Sequence, residues 1–304
     1  MNRFLWLLRR EVWESRAIWI APAVCLVIVV GGAAVAGLFT HHVEVGMGDD
    51  DLRTLAAVTA EQRDLIASGA LASVAVPFLV MVGFVQFFYS IDSLYGERRD
   101  RSILFWKSLP VSDVETVLSK LATAGVVLPA LAVAATVVAQ VGVALITSVK
   151  LSGHAGLAAY LWHPGVWGQV LLVDLYVALA GVLWYAPLIA LYLLVSSVVR
   201  RSPFGVFLLG ILGVFLIERI VFGTHHVLTL ALDRSMGLVT HLFTDRTTSE
   251  LVVGDKTMHL PHSIASNMVP GEFLALPAVW IGLVVAAACV AGAAYVRRYR
   301  DATY

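Results

Sequence analysis

The sequence contains little charge for its length, and this scarcity decides its class. Only 14% of its 304 residues are charged, whereas about a quarter of the residues in a soluble domain are charged. Hydrophobic residues make up 59% of the chain, which predicts a membrane protein. The formal net charge is zero, and no basic tail or block is present. The chain therefore lacks the positive surface that nucleic-acid binding requires.

Cysteine is also scarce, and the two present, Cys25 and Cys289, both lie in apolar runs. They cannot form the spaced framework of a disulfide-stapled secreted domain, so we interpret both as packing residues. The nine histidines all fall in predicted outer segments or at span ends. No two of them have a convincing ligand spacing on one helix, and no cysteine lies nearby. We therefore predict no metal site.

Six stretches are long and apolar enough to cross a bilayer, since a transmembrane helix needs about 20 apolar residues. The predicted fold class is an all-α membrane protein, with one transmembrane domain over residues 1–304. An even number of spans places both termini on the same side. The predicted spans cover about 17–40, 68–92, 121–148, 168–199, 203–222 and 273–296.

The distribution of basic residues predicts which side holds the termini, because cytoplasmic loops of membrane proteins are rich in lysine and arginine. If the N-terminus is cytoplasmic, the inner segments hold 14 of the 21 basic residues. Both termini are therefore predicted to be cytoplasmic. The 14 residues are Arg3, Arg9, Arg10, Arg16, Arg98, Arg99, Arg101, Lys107, Lys120, Arg200, Arg201, Arg297, Arg298 and Arg300.

Residues 1–16 carry a pattern of their own. At 100° per residue, an apolar stripe that includes Phe4 and Leu8 lies opposite Arg3, Arg10 and Glu14. This predicts an interfacial helix whose stripe lies in the acyl boundary while its arginines face the headgroups. Two alternatives remain open. The segment could be a short charged tail, or it could begin a signal peptide that is cleaved near "AAVAG" at 33–37.

The segment between spans two and three, residues 93–120, combines many charges with aromatic residues and a proline. Pro110 ends any helix that comes from upstream. Ser112 and Glu115 match the S-x-x-E capping box, which predicts a new helix that runs through Lys120 into the third span. The consecutive apolar residues Ile103 to Trp106 cannot share one helical face. Some of them therefore need a partner outside this helix.

This segment resembles the link in the permease subunit of type-2 ABC exporters. An acidic-basic pair follows the second span, and "SLPVS" and a lysine precede the third. The similarity extends over the whole chain, from an N-terminal interfacial helix through six spans to a long outer segment, 223–271, before the last. A Gly-Thr pair that is common in the link would fall near Arg101 and Ser102, so the chain departs from the pattern there. The matching residues are Asp92, Glu97, Arg98, Leu104 to Pro110, Val111, Ser112 and Lys120.

The resemblance implies a transport subunit, not an enzyme, in a bacterial cytoplasmic membrane. The link would be the coupling helix that docks on a cytosolic ATP-binding subunit, and Phe105 and Trp106 would be its anchors. Because this chain has no Walker A motif, ATP and Mg²⁺ would be bound by the two ATPase subunits, and this chain would hold no cofactor. A second permease, either another copy of this chain or a homologous permease, would complete the assembly together with membrane lipids. The implied coupling residues are Glu97, Arg98, Arg99, Arg101, Leu104, Phe105, Trp106, Lys107, Leu109 and Pro110.

Ionisable residues inside spans are costly and therefore mark candidate functional sites. Asp174 in the fourth span and Glu218 and Arg219 in the fifth are candidates for a substrate path or gate. Local hydrogen bonding is the alternative role of these residues. The predicted function is ATP-driven export of a lipid-like, peptide or drug substrate. An ion-coupled secondary carrier and a non-transporting membrane scaffold or sensor remain alternative functions.

Overall fold

The computed structural model describes residues 3–39, 60–102, 111–151, 155–244, 247–253, 256–261 and 263–299. The predicted coupling residues from Leu104 to Pro110 lie outside these ranges. Thirteen α-helices are described: α1 (Arg3–Glu14), α2 (Ala17–Phe39), α3 (Ala60–Ser73), α4 (Ala75–Arg99), α5 (Asp113–Ala122), α6 (Leu128–Lys150), α7 (Ala155–Tyr160), α8 (Pro164–Val198), α9 (Pro203–Ile217), α10 (His226–Met236), α11 (Leu238–Leu242), α12 (Pro270–Ala275) and α13 (Pro277–Tyr299).

Six helical stretches are long and apolar enough to span a membrane, which confirms the predicted number. Two of them are longer than predicted. The second runs over Gln62–Arg99 and the third over Asp113–Lys150, because helical structure continues from both spans into residues 93–120. A π turn, Thr123–Val127, connects α5 to α6. The last span starts at Pro277, since residues 270–275 form the separate helix α12.

Helix α8 forms the centre of the bundle. Trp184, Ile189 and Leu193 on this helix are all fully buried, and α8 packs mainly against α13 and α4. In contrast, α2 and α9 bury little of their apolar surface within the chain. Their outward faces therefore suit contact with lipid or with another membrane protein.

The outer segment folds back onto the end of the bundle. Arg234 on α10 lies 4.2 Å above the ring of Trp184 and donates to the carbonyl of Ala278, 3.2 Å away. A Cβ atom at Gly282 would overlap the end of the Arg234 guanidinium, so a larger residue there would displace this side chain from its present position. Burial lowers the pKa of Arg234, and the nearby charge of Asp233 opposes that shift.

A two-stranded antiparallel hairpin lies in the same outer segment, between β1 (Thr247–Val253) and β2 (Lys256–Pro261). The resemblance predicts short outer helices before the last span, and no strand. The helical prediction holds for the membrane-spanning part, and the hairpin is an addition to it. A 3₁₀ turn, Ala265–Asn267, then leads to α12.

Candidate functional site

A group of buried charged side chains joins four helices at one end of the bundle. Glu97, near the end of α4, is at its centre, with only 3% of its side chain exposed. One carboxylate oxygen lies 3.0 Å from Nζ of Lys120 on α5, and the other lies 2.5 Å from Arg297 on α13. The group, here called the Glu97 cluster, consists of Arg10, Glu11, Glu97, Asp113, Lys120 and Arg297.

The first helix completes the cluster. Nζ of Lys120 lies 3.0 and 3.1 Å from the two carboxylate oxygens of Glu11, and Arg10 lies 3.3 Å from Glu97. The hydroxyl of Tyr89 donates to Glu11 at 2.7 Å. Every buried charge in the cluster therefore has an opposite charge in contact, as the cost of burying an ion requires.

The cluster changes the predicted orientation of α1. Leu7 and Glu11 are its buried residues, and Arg10 faces the protein, where the sequence pattern had placed it toward headgroups. Trp6 and Trp13 are exposed and lie on one side of the helix. Tryptophan is enriched at the boundary between lipid and water. The helix itself is as predicted, and its interfacial position stays a prediction.

A second set of contacts attaches the end of α4 to the end of α8. The Ser196 hydroxyl accepts hydrogen bonds from the backbone N–H groups of Leu94, at 3.1 Å, and Tyr95, at 3.0 Å. The Arg98 guanidinium donates to the carbonyl of Ser196 and to that of Val199, at 3.0 Å. Arg98 therefore satisfies carbonyls at a helix C-terminus.

Residues 100–112, here called the connecting segment, are held at both ends. On the near side, Arg101 has a left-handed backbone conformation with φ of 55°, and the Ser102 hydroxyl donates to the Glu97 carbonyl at 3.2 Å. On the far side, Ser112 and Glu115 form the predicted capping box of α5. Asp113, the first residue of α5, accepts a hydrogen bond from Arg297 at 2.9 Å.

The predicted coupling residues thus fall into different environments. Glu97 and Arg98 are engaged with other helices of this chain at the start of the connecting segment. Arg99 and Arg101 are exposed, and Arg99 contacts Asp100 at 3.0 Å. Leu104, Phe105, Trp106, Lys107, Leu109 and Pro110 lie outside the described residues.

A cavity of about 320 Å³ lies further along the bundle, between α4, α6 and α8. Leu238 and Val239 of α11 contribute to its wall from the outer segment. Its volume is at the lower end of the range for small-molecule sites, about 300–1,000 Å³. Val76, Leu79 and Val239 on its wall are exposed in the isolated chain, so the cavity opens at the side of the bundle.

Asp174 is one of the few polar residues on the wall of this cavity. It is buried, and its carboxylate accepts a hydrogen bond of 2.8 Å from the Gln140 amide. Gln86 donates to the carbonyl of Ala124 at 3.0 Å. Gln86 and Gln140 thus both connect helices, a role that side-chain amides commonly take within membrane spans.

Glu218 and Arg219 do not join Asp174. The Glu218 carboxylate accepts hydrogen bonds from the backbone N–H groups of His226, at 2.6 Å, and Val227, at 2.8 Å, and so caps the start of α10. Arg219 donates to the Gly223 carbonyl at 3.3 Å. Of the three residues predicted for a substrate path, only Asp174 lines the cavity found in the described chain.

Three members of the Glu97 cluster could not be recognised as such from the sequence. Glu11, Asp113 and Arg297 received no role in coupling, although each lies at or near the end of a predicted span. The available signal was the presence of acidic residues beside apolar helices, since such carboxylates need a cation nearby. In the described part of the chain, no group of three or more His, Cys, Asp or Glu side chains is placed to hold a metal ion.

Comparison with known proteins gave no relative: no family model, no curated protein and no solved structure matches the chain. Function is therefore inferred from the arrangement of the chain's own residues together with the resemblance of its motifs.

Proposed function

We propose that this chain is the membrane-spanning permease subunit of an ATP-driven exporter. The observation that carries the proposal is the anchoring of the connecting segment, because the Glu97 cluster ties its two flanks to α1 and α13. A lever that couples two proteins must be stiff where it joins the helices it moves. Buried and fully paired charges supply such stiffness, since separating them leaves an uncompensated buried ion.

In the proposed mechanism, ATP binding closes two cytosolic ATPase subunits, and they displace the connecting segment. The cluster transmits this movement to α1, α4, α5 and α13 as one unit. Helix α8 follows because Arg98 and Ser196 attach its end to α4. Since α4, α6 and α8 enclose the cavity, their displacement would change which side of the membrane the cavity faces.

The backbone at Arg101 also favours the proposal. The resemblance to type-2 ABC permeases places a glycine near this position, and Arg101 has the positive φ that glycine adopts most easily. Arg101 therefore differs from the family pattern in residue type, but its backbone has the conformation that suits glycine. In the proposal the connecting segment is the coupling helix region, and the distribution of basic residues supports a cytoplasmic position for it and for both termini.

A second permease copy is part of the proposed assembly. Helix α9 buries little of its surface within the chain, and an added Cβ at Gly210 or Gly213 would meet open space. Glycines on an exposed helix face allow close approach of another helix. This face of α9 is therefore a candidate seam between two permeases.

Affinity purification of the tagged chain from its native membrane, in mild detergent, tests the proposal. We expect ATP hydrolysis in the eluate that is sensitive to vanadate and a co-purified protein with a Walker A motif. If the protein elutes without ATPase activity and still transports under an ion gradient, the secondary carrier is favoured. The observation that supports this alternative is the position of buried Asp174 beside a cavity. Absence of both activities would favour a scaffold or sensor.

A further inference from the structure

The polar groups around the cavity differ in how fully their hydrogen-bonding capacity is used. The donors are engaged with the protein: the Gln86 amide with Ala124, the Thr136 hydroxyl with Ala132 at 2.9 Å, and the Tyr185 hydroxyl with Ser235 at 3.3 Å. Each of these contacts uses a hydrogen and leaves the oxygen of the same side chain as an acceptor. Apart from the second N–H of the Gln86 amide, the polar groups of the wall therefore offer acceptors.

Asp174 and its neighbour Gln140 add to this imbalance. The Gln140 amide nitrogen contacts Asp174 at 2.8 Å, while its carbonyl oxygen is buried and has no hydrogen-bond partner in the described chain. Gln140 is completely buried. A buried acceptor without a donor costs about 1–3 kcal/mol, and a buried carboxylate needs a cation or several donors. Gln140 lies behind the wall, and the described lining of the cavity includes no cation, so Asp174 has one amide donor and a ligand can supply the positive charge.

The remaining wall is apolar and opens sideways. Phe78, Val82 and Val177 are among its buried lining residues, and Val76 and Leu79 at the open side are exposed in the isolated chain. An amphipathic molecule that is dissolved in the bilayer can therefore reach the cavity without crossing water. Its apolar part would replace lipid contacts with protein contacts.

We propose that the cavity binds a small amphipathic amine, with the ammonium group at Asp174 and the apolar part against α4 and α6. That such an amine is the exported cargo rests on the proposed function. Binding of the amine requires only this chain. The ammonium offers three donors and a positive charge. These match the Asp174 carboxylate and the hydroxyl oxygen of Thr136, which lies one helical turn from Gln140, the hydrogen-bond partner of Asp174.

Binding is measured on the purified full chain in nanodiscs of zwitterionic lipid, without any ATPase, with n-octylamine as the probe. Octanoate and octanol are the matched anionic and neutral probes, and empty nanodiscs correct for partition into lipid. We expect saturable binding of octylamine and at least tenfold weaker binding of both other probes. Equal binding of octylamine and octanol would overturn the proposal.

Two variants locate the binding. Asp174→Asn should weaken octylamine binding at least tenfold. The control Asp100→Asn alters an exposed carboxylate just after the end of α4 and should leave octylamine binding unchanged. Ala178→Phe keeps every polar group and fills the cavity, so it should abolish saturable binding. Retained binding in Ala178→Phe would overturn the proposal even if Asp174→Asn fails to fold. If the chain binds the amine but co-purifies no ATPase, the proposed function is contradicted and the binding proposal is not.

Discussion

Replacing Glu97 with glutamine is expected to destabilise the protein more than any other single change of a charged residue. The substitution keeps the size of the side chain and removes the negative charge that faces Lys120 and Arg297. Both cations are almost completely buried. Removing one partner of a buried ion pair costs about 3–5 kcal/mol. The free energy of unfolding, measured by SDS titration in mixed micelles, should fall by that amount.

Glu14→Gln is the matched control, because Glu14 is half-exposed and pairs with Arg10 in the same region. An exposed pair of this kind contributes about 0.3–0.5 kcal/mol. The double variant Glu97→Gln with Arg297→Gln should lose less stability than the sum of the two single variants, since the two side chains interact directly. Equal small losses for Glu97→Gln and Glu14→Gln would show that the cluster does not hold these helices together.

Replacing Phe105 and Trp106 together with alanine is expected to separate the chain from its proposed ATP-binding subunit. Aromatic anchors at the centre of an interface contribute about 2 kcal/mol or more each. Since about 1.4 kcal/mol corresponds to a tenfold change in affinity, the pair should weaken binding about a thousandfold. Affinity between the reconstituted chain and the subunit, measured by microscale thermophoresis, gives this number directly.

The double variant Phe222→Ala with Trp280→Ala provides the control for this experiment. It removes the same two ring types from exposed positions near the outer segment, so subunit affinity should not change. Only in the variant with Phe105 and Trp106 replaced should the rate of transport no longer depend on ATP hydrolysis. Unchanged affinity in that variant would exclude the connecting segment as the docking element.

The membrane architecture could be predicted because its signals are local. Six apolar stretches and the Ser112–Glu115 capping box are each contained in a short window of sequence, and both are confirmed. The span ends were less accurate. Helical structure continues beyond the apolar core of span two, where hydropathy gives no boundary, whereas the helix that leads into span three begins at the predicted capping box.

The candidate site could not be predicted to the same extent because its contacts are distant in sequence. Glu11, Glu97, Lys120 and Arg297 meet only when four helices assemble. A single sequence shows that each of these residues is charged, but it does not show which opposite charge each residue contacts. The same holds for Asp174 and Gln140, whose pairing across α8 and α6 appears only in the assembled bundle.

The side of the membrane on which the connecting segment lies is the most direct test of the account. We would introduce Ser108→Cys into a chain whose Cys25 and Cys289 are replaced by alanine, and label it with a membrane-impermeant maleimide. Met236→Cys, an exposed position on α10, marks the opposite side. We predict labelling of residue 108 only in inverted vesicles, with protection by the bound ATP-binding subunit. Labelling of residue 108 from outside, or unprotected labelling in the presence of that subunit, would contradict the account.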